Sequence, residues 1–248
     1  MQHEAFTTRR YLAVFLPLLP AERLIRTHPG TLGCTPDTPF ALVEKERGAM
    51  RLAACDAKAL ELGLTPGTAL ADARARVPDL AVFNHDPAAD TRLLGWLADG
   101  CERDTPACML DPPQGLLLDI TGCTHLFDDE AGLTRDLKAR LRRHGLTSRI
   151  ALGTTPDSAQ AKAKYAKAAL DDLPVEALEG DAKVHQALRR AGLKTIGDLA
   201  VRPRKPLAAR FGKAAVVKLA RLLEEEGPRM TPRRSLPVIH VAQSFAEP

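Results

Sequence analysis

No two cysteines in this sequence stand close enough together to nucleate a metal site. Cys34, Cys55, Cys101, Cys108 and Cys123 are odd in number, scattered, and form no Cys-x-x-Cys pair, whereas structural zinc draws on closely spaced ligands. They read as buried free thiols. The histidines are dispersed as well; Cys123 and His125 alternate in a strand-like run, but a pair of ligands does not make a site. Long apolar runs are missing, and none approaches the ~20 residues that a membrane-spanning helix needs. The opening Met1-Gln2-His3-Glu4-Ala5-Phe6 lacks the basic start and apolar core of a signal peptide. The expected location is the cytoplasm. Internal repeats and low-complexity tracts are absent too.

What remains is the composition of a globular protein, 45% hydrophobic and 27% charged. Its 248 residues suffice for one large domain or two to three small ones with real cores. The net charge of +4 hides an asymmetry: from Lys183 to Arg234 there are 14 Lys or Arg against 4 Asp or Glu, a balance of +10 that leaves −6 for everything else. Such a segment is suited to a polyanion.

Tyr11 to Leu16 reads as a buried strand stopped by Pro17, with a helix from Ala21 to Thr27 after it. Phe40 to Lys45 and Met50 to Cys55 suit a hairpin across Glu46-Arg47-Gly48-Ala49. Short helices follow at Asp56 to Leu62 and Thr68 to Arg76, the first capped by Asp56 and closed by Gly63. A strand near Leu80 to Phe83 leads to a helix from Pro87 to Arg103. Leu93, Leu94, Leu97 and Cys101 recur there at helical spacing and, with the lone Trp96, read as core. Later come a basic helix from Glu130 to His144, a strand from Ser148 to Leu152 and a helix from Pro156 to Ala169. Two β-α-β-like units around a sheet with helices on one face predict a ferredoxin-like α+β core.

The central run Cys108-Met109-Leu110-Asp111-Pro112-Pro113-Gln114-Gly115-Leu116-Leu117-Leu118-Asp119-Ile120-Thr121-Gly122-Cys123 is the most informative. It resembles the metal-binding strands of Y-family DNA polymerases, with Asp111 in the place of the Asp of an Asp-Glu pair and Pro112 in the place of the Glu. With Arg9-Arg10-Tyr11-Leu12-Ala13, Leu42-Val43-Glu44-Lys45, Ala71 to Leu80 and Ile196-Gly197-Asp198-Leu199, it is similar to ImuB, the Y-family homologue of the bacterial inducible mutasome. By that resemblance Leu16 replaces the first metal-binding Asp, Ala57 and Leu60 replace a Tyr and an Arg that hold the incoming triphosphate, and Gln160 stands where a palm lysine meets phosphate, unless Lys162 or Lys164 substitutes. Phosphoryl transfer by this route needs two divalent ions about 4 Å apart, bridged by several carboxylates. The resemblance therefore implies no catalytic set, a vestigial Asp111, no cofactor and no resident metal.

It also implies a Y-family-like layout: a palm at 1–30 and 80–170, small fingers at 31–79, a helix-hairpin-helix-like thumb at 171–232 and, at 233–248, a linker towards a little-finger domain. In the thumb, Val184 to Leu199 reads as helix, tight turn at Gly192-Leu193-Lys194-Thr195, and helix. Helix N-termini offer free N–H groups to phosphate without reading sequence. The expected DNA-binding set is Arg189, Arg190, Gly192, Lys194, Thr195, Gly197, Arg204, Lys205, Arg210 and Lys213, with Arg202 adding charge.

The function so implied is a non-catalytic, nucleoid-associated DNA-binding scaffold in translesion synthesis and the SOS response to DNA damage. The partners implied are primer-template DNA, an error-prone replicative-type polymerase, a RecA-like mutasome protein and, through regions beyond these residues, the sliding clamp. Two alternatives stand beside it. An active error-prone polymerase would have to recruit a carboxylate such as Asp119, which in Leu-Asp-Ile-Thr reads instead as the cap of a turn with Thr121. A plain DNA-binding assembly module would show no preference for primer ends.

Overall fold

The computed structural model describes residues 9–28, 38–227, 230, 231 and 233. In chain order these form β1 (Tyr11–Phe15), α1 (Leu19–Thr27), β2 (Phe40–Glu46), β3 (Ala49–Cys55), α2 (Ala57–Glu61), α3 (Leu70–Arg76), β4 (Ala81–Asn84), α4 (Pro87–Gly100), β5 (Cys108–Asp111) and β6 (Gly115–Asp119). There follow α5 (Glu130–Arg143), β7 (Arg149–Gly153), α6 (Pro156–Tyr165), α7 (Ala182–Arg190), α8 (Ile196–Ala200), α9 (Arg204–Phe211) and α10 (Lys213–Leu222). The class is α+β, as expected.

The larger sheet is four-stranded and antiparallel, in the order β5-β6-β1-β7. Its central strands are apolar on both faces, with Leu116, Leu117 and Leu118 each 0% exposed. Strands of that kind need cover on both sides. Leu12, Val14, Leu116 and Leu118 pack with Leu94 and Leu97 of α4 and Leu133 and Leu137 of α5. Tyr11, Ala13 and Leu117, alternating with them, pack with Ala159 and Ala163 of α6. The helices therefore lie on both faces, not on one, and α6 covers its side of β1. It also ends at Tyr165 instead of Ala169, because Ala166 takes the left-handed conformation with φ +53°.

The smaller sheet has the order β3-β2-β4. Arg47 and Gly48, both at positive φ, close the β2-β3 hairpin. β4, expected with the palm segment, pairs in parallel with β2 and so belongs to this sheet. A buried ion pair between Arg23 and Asp90 at 2.5 Å joins α1 to α4. Asp90 also lies 2.9 Å from His85 Nε2, whose Nδ1 is 3.0 Å from Glu44 on β2. This chain of contacts fixes the smaller sheet to the larger one.

Trp96, expected in the core, is 47% exposed. Leu94, Leu97 and Ala98 turn towards the sheet, and two steps of about 100° carry Trp96 to the solvent side of α4. There Arg26 lies over its ring at 4.8 Å and His144 meets it edge-on at 4.8 Å.

The C-terminal helices close around Leu173, Val175, Leu188, Ile196, Leu199, Leu219 and Leu222. α10 packs against α6. Beyond it, the Arg233 N–H donates to the Cys108 carbonyl at 2.7 Å, bringing the chain back to β5; the rest of the expected linker lies outside the described residues. Cys55, Cys101 and Cys108 are buried free thiols and Cys123 is half-buried, while Cys34 lies outside the described residues. Among the described residues no helix is long and apolar enough to cross a membrane.

Candidate functional site

The register of the larger sheet sets Asp111 opposite Gly115, Gly115 opposite Phe15, and Phe15 opposite Arg149. Residues in such a cross-strand row share one face, here the face that α6 covers. Gly115 has no room for a side chain: a Cβ would lie 2.7 Å from Asp111 Oδ2 and 2.9 Å from the Asp111 carbonyl oxygen. The carboxylate therefore occupies the space above Gly115, on the same face as the Phe15 ring. Leu16, expected at this site, is 0% exposed in the core of the opposite face. Alternation along β1 gives its place to Phe15, and Leu16 is corrected accordingly.

A hollow of about 210 Å³ opens over this row, walled by Phe15, Asp111, Gln160, Lys164, Tyr165 and Lys218. Burial pushes the Asp111 carboxyl up, and a hydrogen bond from Gln160 only partly offsets this. Gln160 thus stands in the hollow beside Asp111. Of the two lysines offered as its substitutes, Lys164 shares the hollow, whereas Lys162 turns away, its Nζ 3.3 Å from both the Leu152 carbonyl and Glu224.

Sequence reasoning missed the other acids of this wall. Asp157 at the start of α6 and Glu179 ahead of α7 both accept from Lys218 Nζ, each at 2.7 Å. Burial alone would lower the Lys218 pKa, but these two partners raise it, so the cation and both carboxylates hold one another. No sequence signal joins residues so far apart. Among the described residues no three His, Cys, Asp or Glu side chains converge to hold a metal ion. Asp119 is engaged elsewhere: Oδ1 accepts the Thr121 N–H at 3.0 Å and Oδ2 meets Arg9 at 3.0 Å. Ala57 and Leu60 are exposed on α2, whose N-terminus Asp56 caps through the Ala59 N–H at 2.9 Å.

The expected DNA-binding residues divide into three groups. Arg189 is paired with Glu176 at 2.6 Å and Arg204 with Glu225 at 2.7 Å. Arg190, Lys194, Arg202, Lys205, Arg210 and Lys213 are exposed; of these, Arg202 lies close enough to Asp198 for its charge to help lower that carboxyl's pKa. Arg202 and Arg210 share a hollow with Ala191 and Leu193, on either side of Gly192, so the turn and α9 bring these charges together. Gly192 supplies the positive φ of +79° that the turn requires.

Thr195 and Gly197 have structural partners instead. The Lys194 and Thr195 N–H groups donate to Asp198 at 2.8 and 2.9 Å, the Ile196 N–H to the Leu173 carbonyl at 2.8 Å, and the Gly197 N–H to the Asp171 carbonyl at 3.1 Å. Thr195 Oγ1 in turn accepts the Asp198 N–H at 3.2 Å. Every amide at the start of α8 is thus already bonded. The expectation that free N–H groups there hold phosphate does not hold in this conformation; the contribution left to the turn is side-chain charge.

Residues 33–164 match the model of the impB/mucB/samB family. The chain belongs to that family. Within it, the chain is similar to Protein ImuB of Caulobacter vibrioides, strain NA1000 / CB15N, at 42% identity over an alignment of 199 residues, with 75% of this chain and 43% of the relative covered. The same figures hold for Protein ImuB of Caulobacter vibrioides strain ATCC 19089. The chain therefore spans less than half the length of these family members, 43% of each. Among solved structures, its fold is that of DinB from Sulfolobus solfataricus, with a TM-score of 0.72 and 15% identity over 90% of this chain and 69% of the other. An insertion ternary complex of Dbh DNA polymerase matches with a TM-score of 0.74 and 15% identity over 89% of this chain and 69% of that one. The fold of this family member is that of a Y-family polymerase.

Proposed function

We propose that this impB/mucB/samB-family chain is a non-catalytic DNA-binding scaffold for damage tolerance, acting in translesion synthesis carried out by another polymerase. The observation that carries the proposal is the row Asp111, Gly115, Phe15, Arg149. Two-metal phosphoryl transfer needs several carboxylates around ions about 4 Å apart. On this row Asp111 is the only carboxylate, and burial favours its neutral form. Asp157 and Glu179 are held by Lys218. The donor set does not fit a two-metal centre, and no step is assigned to one.

DNA binding is supported by the exposed cations around the Gly192 turn and α9, and by likeness in fold to a polymerase solved as an insertion ternary complex. An error-prone replicative-type polymerase, a RecA-like protein and the sliding clamp belong to the same proposal as partners. The test is fluorescence anisotropy of a labelled primer-template titrated with the purified chain over a range of salt. Binding that is insensitive to sequence and falls steeply with salt is expected. Absence of binding even at low salt would overturn the proposal.

A further inference from the structure

β7 is an outer strand of the larger sheet. One of its edges pairs with β1, from Tyr11 opposite Gly153 to Phe15 opposite Arg149; among the described residues no strand pairs with the other. An open edge presents a row of N–H and C=O groups that can template a further strand, and proteins commonly blunt it with proline or inward-pointing charge. Arg149-Ile150-Ala151-Leu152-Gly153 has no proline. The Leu152 carbonyl already accepts a hydrogen bond from Lys162 Nζ at 3.3 Å, so an acceptor of this strand is within reach of a donor from outside the sheet.

The open edge lies at the bottom of a trough of about 500 Å³, with Thr134 and Lys138 of α5 on one bank and Lys162 and Lys167 on the other. No Asp or Glu is among its lining residues, although the chain as a whole has 31 acids to 35 bases; Lys162 is paired with Glu224 at 3.3 Å from outside the trough, so the positive charge that faces a ligand comes from Lys138, Arg149 and Lys167. The rest of the lining is mainly aliphatic and half-buried, including Ile150 and Leu152.

We propose that this trough is a docking site for an extended segment of a partner protein, which adds a strand beside β7 and alternates acidic with apolar residues. Alternation follows from geometry: successive side chains of an added strand point to opposite faces, one towards Ile150 and Leu152 on the α5 side and the next towards Arg149 and Lys167 on the α6 side. Main-chain pairing supplies the attachment, and the all-cationic lining selects acidic side chains. A nucleic acid fits less well, because its phosphate backbone offers acceptors only and so leaves the outward carbonyls of the strand edge without donors. A second copy fits less well too, since edge-to-edge pairing would set the same cations against each other. The proposal is independent of DNA binding at the C-terminal helices.

The test uses the full chain and a labelled, end-blocked peptide of about seven residues alternating Glu and Val, a usual strand length. Anisotropy should show binding that weakens at least about tenfold when Lys replaces Glu in the peptide, and by a similar factor when alternate backbone nitrogens are methylated. Lys138→Glu with Lys167→Glu, whose side chains are on the surface, should reverse the charge preference without moving the melting temperature. Equal affinity for the methylated peptide would reduce the site to charge alone and overturn the proposal. So would an oligodeoxynucleotide that displaces the peptide and loses affinity to the same double substitution, or failure of the Glu-Val peptide to bind.

Discussion

Ser158 and Glu224, 66 positions apart in the chain, meet at 2.7 Å, the serine hydroxyl donating to the carboxylate. The Thr154 N–H at 3.0 Å and Lys162 Nζ at 3.3 Å point to the same oxygen, and the Thr155 hydroxyl donates to the Arg221 carbonyl at 2.7 Å. These bonds seat the end of α10 on the start of α6, and so fix the C-terminal helices against the larger sheet. Glu224 itself sits at φ +63°, a left-handed conformation that persists only where its surroundings hold it.

Replacing the Glu224 carboxylate by an amide keeps an acceptor but removes the charge that Lys162 and the other donors bind, and a hydrogen bond to a charged group is worth about 1.5–3 kcal/mol. Burial alone would raise the Glu224 pKa, but the Ser158 and Thr154 hydrogen bonds and Lys162 outweigh that and hold it below the usual range. A depressed carboxylate contributes stability that is present above the unfolded pKa and lost as pH falls through the folded one. Glu224→Gln should therefore lower the melting temperature fully at pH 7, and the difference from wild type should shrink below about pH 4.3. A difference that is unchanged under acid would contradict this account of the junction.

Asp111 has the opposite sign. Its pKa is raised by burial, so the ionised form costs stability once pH exceeds the unfolded pKa, and the full cost applies above the folded one. Asp111→Asn is expected to raise the melting temperature at pH 7, with the gain vanishing under acid. A lower melting temperature at pH 7 would mean that the carboxylate makes stabilising contacts instead.

Gly197→Ala separates packing from DNA contact. The new Cβ would lie 3.0 Å from Asp171 Cβ and 3.1 Å from the Asp171 carbonyl oxygen, and overpacking of this kind costs about 1–3 kcal/mol. Denaturant unfolding should show that loss, while DNA affinity of the folded variant stays near wild type. A stable variant with weakened DNA binding would restore Gly197 to the DNA-facing set.

Arg190→Ala with Lys194→Ala removes two exposed cations beside the turn. Affinity should drop alike for all sequences, and the slope of log affinity against log salt should flatten by about 0.9 for each phosphate that is no longer neutralised. An unchanged slope in anisotropy titrations would assign DNA binding to another surface.

The strands of both sheets were legible because apolar runs broken by turn residues leave little choice. Which face a residue took was not legible in β1, where Leu12, Ala13 and Val14 are all buried and alternation has no polar mark to count from; that is why Phe15, and not Leu16, borders Asp111. Trp96 was misplaced because α4 carries apolar residues around more of its circumference than the sheet covers. The α8 amides show a different limit: Thr195 and Asp198 form a capping box in the structure, and their hold on the N–H groups competes with the phosphate role that the basic turn invites. Lys218 with Asp157 and Glu179, and Glu224 with Ser158, join segments distant in the chain, and only tertiary packing reveals them.

Primer extension tests the central claim most directly: the purified chain, a primer-template it binds, Mg²⁺ or Mn²⁺ and all deoxynucleoside triphosphates, beside an Asp111→Ala control. The account predicts no extension by either protein at concentrations where the primer-template is bound. Extension by the wild-type chain that is lost in the control would contradict it, and would mean that Asp111 serves a working metal centre.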